Sequence, residues 1–277
     1  MLIEDLLKQA LQEDIQDGDH SSLACIPAEA TGNCHLLVKQ AGIIAGIEVA
    51  KQVFNMVDSR LNFNQLLNDG DTIKPGDIAF TIEGSRQSLL KGERLALNYM
   101  QRMSGIATST KEYSQLINHT SCKLLDTRKT TPNNRVFEKI AVKIGGGFNH
   151  RFGLYDMIML KDNHIDFAGG IEQAIKKTNR YLVDNKLDLK IEIEVRNFQE
   201  LKEVLATGNV DRIMLDNFSV EDTREALKLI NGTYETESSG GIDKTTIKAY
   251  AETGVDFISV GALTHQINSL DLSLKAI

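Results

Sequence analysis

Apolar residues near the start of the chain, Ile3, Leu6, Leu7, Ala10 and Leu11, recur every three or four positions and predict a helix over 3–11. The polar run Glu13-Asp14-Ile15-Gln16-Asp17-Gly18-Asp19 follows as a loop. Short strand patterns lie at 35–39, 42–45 and 77–83, the last after the turn Lys74-Pro75-Gly76, with a helix between them at 47–56. Residues 92–107 then read as one long helix. Leu95, Tyr99, Met103 and Ile106 give it an apolar face, while Arg94, Asn98, Gln101 and Arg102 form a polar stripe. The small residues of Ser104-Gly105-Ile106-Ala107-Thr108 call for close packing against a neighbour. This first third predicts an α+β layer.

From Ser121 onward the rhythm changes. Strand patterns at 123–125, 157–160, 190–195, 212–215, 233–237 and 257–260 alternate with helical ones such as 198–205, 220–230 and 244–253. That alternation predicts a parallel sheet, open or closed into a barrel. Each strand runs into residues that can do chemistry: Asp126-Thr127-Arg128, Lys161-Asp162-Asn163, Glu194, Asp216-Asn217, Ser238-Ser239-Gly240-Gly241 and Gly261-Ala262. In a βα-barrel those C-terminal strand ends line one mouth, where active sites form.

Composition narrows the chemistry. The 277 residues carry a net charge of −7, which argues against a general nucleic-acid or membrane-surface binder. Within 122–165, however, eight cations face four acids. A basic pocket in an acidic protein points to a small anionic ligand. Cys25, Cys34 and Cys122 form no metal or redox spacing and read as thiols of a reducing compartment. Residues 1–10 resemble a helix start, not a signal peptide, and no apolar run has the length of a membrane span. The default location is the cytoplasm.

Arg128, Lys129, Arg151 and Lys161 form a candidate cationic wall, with His150 and His164 as possible donors to the same anion. The plainer alternative is salt bridges to Asp126, Glu138 and Asp162. Ser239-Gly240-Gly241 and Gly261-Ala262, on consecutive strand ends, suggest a phosphate cup of backbone N–H groups, or else two ordinary turns. Glu194 and Asp216 end neighbouring strands and suit Mg²⁺ held through carboxylates and substrate oxygens, or else a pair of capping acids.

Longer stretches carry a family resemblance: GERLALNYMQRMSGIAT (92–108), DTRKTTP (126–132), EKIAVKIGGGFNHRFGL (138–154), KDNHI (161–165), IEIEV (191–195), LDNF (215–218), SSGGI (238–242) and ISVGALTH (258–265). In order and spread over nearly the whole chain, they resemble quinolinate phosphoribosyltransferase. The resemblance implies an α/β protein. An N-terminal α/β sandwich (1–108) precedes an open α/β barrel of parallel strands (109–266), and a tail (267–277) packs back on the first domain. It implies a homodimer with shared active sites, with or without further assembly. Arg102 matches the arginine lent by the neighbouring subunit. Arg128, Lys129, His150, Arg151 and Lys161 match positions around the pyridine dicarboxylate and phosphates. Glu194 and Asp216 match acids near the ribose and Mg²⁺. Ser239, Gly240, Gly241, Gly261 and Ala262 match the 5′-phosphate cup. Asn133-Asn134 stands where the family usually has Gly-Leu, and Gln16 replaces a usual glycine. Gln266 stands where a serine is frequent.

The implied reaction transfers phosphoribosyl from phosphoribosyl pyrophosphate to quinolinate, giving nicotinate mononucleotide, pyrophosphate and CO₂. Lys129, Lys161, Glu194 and Asp216 are the candidate catalytic groups. The alternatives are a phosphoribosyltransferase for another pyridine acid, or a barrel that binds a phosphosugar without turnover.

Overall fold

The computed structural model describes residues 3–277; Met1 and Leu2, part of the expected helix start, lie outside the described residues. The chain begins with α1 (Ile3–Ile15), α2 (His20–Cys25), β1 (Thr31–Val38), β2 (Gly42–Ile43) and α3 (Ile47–Val57). Next come β3 (Asn62–Gln65), β4 (Thr72–Ile73), β5 (Ile78–Ser85) and α4 (Arg86–Ile117). Then follow β6 (Lys123–Leu125), α5 (Arg135–Ile144), β7 (Ile158–Leu160), α6 (Asp162–Ala168), α7 (Ile171–Asn185), β8 (Ile191–Val195) and α8 (Phe198–Thr207). The last elements are β9 (Arg212–Asp216), α9 (Val220–Ile230), β10 (Glu235–Ser239), α10 (Ile247–Ala251), β11 (Phe257–Ser259), α11 (Ala262–His265) and β12 (Leu272–Ala276).

The chain divides into two compact units. The first holds 1–111, 130–146 and 263–277, and the second holds 112–129 and 147–262. The segment 130–146 groups with the first unit.

In the first unit an antiparallel sheet runs β12-β1-β5-β3. The C-terminal strand therefore pairs with β1, with Leu36 opposite Leu274. Phe54 of α3 meets Phe80 of β5 edge-on at 6.3 Å, and Phe80 packs on Phe63 at 4.3 Å. Ser104 donates to the Ala45 carbonyl and accepts its N–H at 2.9 Å, which pins α4 to the segment before α3. That bond also removes Ala45 from the expected strand over 42–45. Gly105 supplies the close packing its neighbours call for: a Cβ there would stand 2.2 Å from the Asn268 carbonyl oxygen. The tail can lie on α4 only because position 105 has no side chain.

In the second unit six parallel strands run β6-β11-β10-β9-β8-β7, with β6 and β7 as the two edges. This is an open parallel sheet covered by helices. Odd residues of β8, Ile191, Ile193 and Val195, join Ile213, Leu215, Leu201 and Val204 in the core under the helices. By the two-residue period of a strand, Glu192 and Glu194 face the other way. Side-chain caps start the covering helices: Asn197 accepts the Glu200 N–H at 3.0 Å and Ser219 that of Asp222 at 3.0 Å. Each is worth about 1 kcal/mol. The strand expected at 233–237 is displaced to Glu235–Ser239. Asn231 and Gly232 both have positive φ, and the Thr233 N–H closes a turn on Ile230, so the chain extends only afterwards.

Two family departures fall on strained backbone. Gln16 and Asn133 have φ of 45° and 62°, a region glycine occupies without cost and other residues enter reluctantly.

Candidate active site

The parallel strands of the second unit end in polar groups on one rim. Lys161 follows β7, Glu194 is next to last in β8, and Asp216 and Ser239 close β9 and β10 opposite each other. Gly261 follows β11, and Asp126 follows β6.

Asp126 is fully buried and organises one side. Its carboxylate accepts the His150 N–H at 2.8 Å and the Asn149 amide at 2.6 Å. Phe148 adds a bridge beside β6: its N–H donates to Leu124 at 2.8 Å, and its carbonyl accepts the Asp126 N–H at 3.1 Å. The glycine-rich stretch Gly145-Gly146-Gly147 thus leads into a segment tied down on β6. Downstream, the Asp156 carboxylate accepts the N–H groups of Phe152 and Gly153 and folds the chain back.

This framework presents two guanidinium groups. Arg151 is half-buried, and its Nη1 donates to the Met157 carbonyl at 3.1 Å. Burial, and next the charge of Arg128, lower its pKa. The Nε of Arg128 is itself buried without a protein acceptor among the described residues. Two like charges held together, one with an unused buried donor, form a site for an anion. Lys129 is exposed, and its backbone N–H bonds to the Thr127 hydroxyl at 3.0 Å.

On the other side Lys161 reaches Glu194 at 3.2 Å. Burial raises the Glu194 pKa; Lys161 opposes this, and the charge of Asp216 adds to it. Asp216 accepts the Asn217 side-chain amide at 2.7 Å. Asn217 in turn donates its N–H to the Ser239 carbonyl at 2.9 Å, so the β9 and β10 ends are coupled. Gly240 sits at φ +99°, where a Cβ would lie 2.2 Å from the Asn217 Oδ1. Only glycine lets the two turns approach this closely. Gly241 is also at positive φ, and Gly261 and Ala262 are half-buried at the next strand end.

Arg128, Lys129, His150, Arg151, Lys161, Glu194, Asp216, Ser239, Gly240, Gly241, Gly261 and Ala262 therefore all belong to the second unit. Arg102 belongs to the first. There it is held by Glu138 at 2.7 Å, the Thr131 hydroxyl at 2.9 Å and the Thr264 carbonyl at 3.1 Å. Glu138 is buried, so this arginine is fixed by its own subunit. His164 caps α6, accepting the Lys161 N–H at 3.0 Å.

His150 occupies a different setting from the one its neighbours suggest. Its ring is buried, with Nε2 3.0 Å from Glu192 and 3.3 Å from Glu237. Its Nδ1 accepts the Arg151 N–H at 2.7 Å. Burial opposes a charged ring, the two glutamates favour one, and the balance raises the His150 pKa. Burial and the charge of Glu237 raise the Glu192 pKa as well. Sequence reasoning overlooked Glu192 and Glu237, and took Asp126 only as a strand-end group or a salt-bridge acid. The signal was present in Ile191-Glu192-Ile193-Glu194-Val195, since acids alternating with β-branched residues mean a strand with one polar face.

The opposite ends of the strands have the wrong polarity for an anion. A cavity of about 460 Å³ there is lined by Asp211, Glu235 and Asp256 against one cation, Lys190.

Residues 19–104 match the family description "Quinolinate phosphoribosyl transferase, N-terminal domain", and residues 106–275 match the corresponding C-terminal domain. Quinolinate phosphoribosyltransferase (decarboxylating) 2b, mitochondrial, of Nicotiana tabacum is 43% identical over 288 residues, covering 99% of this chain and 82% of that protein. The chloroplastic nicotinate-nucleotide pyrophosphorylase (carboxylating) of Oryza sativa subsp. japonica is 44% identical over 285 residues, covering 98% of this chain and 76% of that protein. The crystal structure of NadC from Streptococcus pyogenes superposes with a TM-score of 0.93 at 42% identity, covering 99% of this chain and 97% of that one.

Proposed function

The chain belongs to the quinolinate phosphoribosyltransferase family, and from that premise we propose that it transfers phosphoribosyl from phosphoribosyl pyrophosphate to quinolinate with loss of CO₂, a step of NAD biosynthesis. The observation that carries the reading for this chain is the buried Arg128 Nε without a protein acceptor among the described residues, together with the half-buried Arg151, whose pKa is lowered by burial and then by the Arg128 charge. Quinolinate, with two adjacent carboxylates, offsets that repulsion on binding.

Arg128 and Arg151 hold the dicarboxylate, and Lys129 adds charge at the same mouth. Backbone N–H groups of Ser239, Gly240, Gly241, Gly261 and Ala262 take the 5′-phosphate. Glu194 and Asp216 lie by the ribose, where their charge favours the oxocarbenium-like centre as the bond to pyrophosphate breaks. The quinolinate ring nitrogen then forms the new bond to the anomeric carbon. That alkylation makes the ring cationic, so the electron pair left when CO₂ departs is stabilised on the adjacent ring carbon, which takes up a proton. Lys129 and Lys161 are the candidate donors of that proton.

The acid pair fits Mg²⁺ as a partial site. Glu194 and Asp216 offer hard oxygen donors on neighbouring strands, and burial, with the charge of Asp216 adding to it, raises Glu194. Mg²⁺ held there would draw its other ligands from substrate oxygens and water. When bound, Mg²⁺ supplies neutralisation of the departing pyrophosphate. Chelation by EDTA abolishing turnover, and Mg²⁺ restoring it, is the expected result; full activity in EDTA contradicts the assignment.

The functional protein is proposed to be a homodimer in which Arg102 completes the partner's site. Its anchorage to Glu138, Thr131 and Thr264 supports this, because a preset arginine loses little freedom on engaging an anion. Arg102→Ala and Lys161→Ala, each inactive alone, then regain part of the activity when mixed. Failure to regain it despite proven subunit exchange sinks the shared site. Free cysteines, two of them buried, support a reducing compartment such as the cytoplasm.

The direct test is a coupled assay for pyrophosphate and CO₂ with quinolinate and, separately, nicotinate. Release that depends on quinolinate supports the reading, and equal turnover of nicotinate replaces it with a different base specificity.

A further inference from the structure

Glu192, Glu237 and Arg212 form a buried charged layer that none of the steps above uses. Glu192 and Glu237 are completely buried. Arg212 donates to Glu237 at 3.2 Å and to Glu235 at 3.1 Å, with its guanidinium 3.9 Å above the Phe257 ring. One arginine thus offsets one buried carboxylate of the layer, and the second must be offset elsewhere. The group that reaches both is His150, at 3.0 Å and 3.3 Å through Nε2.

The two nitrogens of that ring constrain each other. An amide N–H can meet a ring nitrogen only where that nitrogen offers a lone pair. The Arg151 N–H lies 2.7 Å from Nδ1, so Nδ1 is bare and the ring proton is on Nε2, the nitrogen that lies 3.0 Å and 3.3 Å from the two carboxylates. His150 Nε2 and the glutamate oxygens also lie within 4.8 Å of one another, a spacing that a divalent ion could bridge. A metal on Nε2 would require the proton on Nδ1, against the Arg151 N–H. The tautomer therefore disfavours a bridging metal and leaves the ring in close charge contact with both carboxylates.

We propose that Glu192 and Glu237 are positioning residues of the quinolinate site: they hold His150 as its Nε2–H tautomer, and its bare Nδ1 fixes the backbone of Arg151. This rests on the function proposed above. The chain of contacts runs from the barrel interior to the cationic wall. Asp126 steadies the same segment one residue earlier, through the His150 N–H. Arg151 is then held at its N–H by the ring and at its Nη1 by the Met157 carbonyl. A guanidinium held at both ends meets a carboxylate with little motion left to lose.

Replacing Glu192 or Glu237 by glutamine keeps the shape but adds an amide that can donate to Nε2. The tautomer is then no longer imposed. Full-length protein labelled with ¹⁵N in its histidine rings, without substrate, should show His150 with a bare Nδ1 and a protonated Nε2. Its signals are assigned by their loss in His150→Asn. Glu192→Gln and Glu237→Gln should mix the two tautomers. They should also raise the KM for quinolinate about tenfold, the weight of one charge-assisted hydrogen bond, while the KM for phosphoribosyl pyrophosphate stays within about twofold. A proton on Nδ1 in the wild-type spectrum overturns the proposal, even where a variant fails to fold. So does an unchanged KM for quinolinate in folded variants. Absence of turnover in the wild type overturns the reaction itself, whereas a wrong tautomer with full turnover overturns only the positioning role.

Discussion

Arg151→Ala should separate binding from stability. In the wild type Arg151 is half-buried beside Arg128, whose charge opposes it, and its one recorded side-chain bond is to the Met157 carbonyl at 3.1 Å. Truncation loses that bond and some stem packing but relieves the repulsion between the two guanidiniums. The net change in folding free energy should stay within about 1 kcal/mol, equivalent to under about 4 °C in melting temperature. Binding should respond quite differently. A carboxylate of quinolinate is left in a half-buried pocket without its partner, at a cost of about 2–5 kcal/mol. That corresponds to a Kd weakened from about 30-fold to a few thousandfold. Calorimetric titration with quinolinate gives the second number and a thermal melt the first. A Kd within about threefold of the wild type would remove Arg151 from the cationic wall. A large loss of melting temperature with unchanged Kd would make it a structural residue.

Three further outcomes follow from local geometry. Gly240→Ala forces a Cβ to within 2.2 Å of the Asn217 Oδ1 at φ +99°, whereas Gly241→Ala, at φ +61°, meets nothing within 4 Å. The first should cost upwards of about 2 kcal/mol in urea melts and raise the KM for phosphoribosyl pyrophosphate, the second about 1 kcal/mol; equal effects would refute the coupling of the β9 and β10 ends. Gln16→Gly should stabilise by about 0.5–1 kcal/mol, and Asn133→Gly by less because asparagine tolerates positive φ; a loss of stability in either denies the strain. Cys25 is exposed and should react with a thiol reagent in the native state, while Cys34 and Cys122 should react only after unfolding. Burial pushes the Cys122 thiol up to about 12, so raising the pH to about 9 should not expose it to alkylation, and mass spectrometry finding it labelled there would contradict its burial.

The sequence and the structure agree most closely where local pattern decides the outcome. Strands β6, β7, β9 and β11 were legible because each holds a short apolar run that leads into polar residues, whereas β10, Glu235–Ser239, has no apolar residue and was displaced; α9 has the span its periodicity predicts. Helix α4 outgrew its expected span because no proline interrupts 86–117 and its two glycines are tolerated within a long helix. The tail strand β12 is an alternation, Leu272, Leu274 against Ser273, Lys275, too short to stand out alone. The grouping of 130–146 with the first unit depends on tertiary contacts that no local pattern encodes. At the site, the charge excess of 122–165 pointed to Arg128 and Arg151. The setting of His150 was illegible, because its neighbours Glu192 and Glu237 lie on strands some forty and ninety residues away. Asp126 could equally have been a salt-bridge acid; only the fold shows it accepting the His150 N–H and the Asn149 amide.

The most direct measurement is the release of pyrophosphate and CO₂ by the purified full-length protein, given phosphoribosyl pyrophosphate, Mg²⁺ and either quinolinate or nicotinate. Equimolar release with quinolinate, and at most a small fraction of that pyrophosphate with nicotinate, is the expected result. No release with quinolinate, or matching rates with both acids, would contradict a site built around a paired-guanidinium clasp for a dicarboxylate.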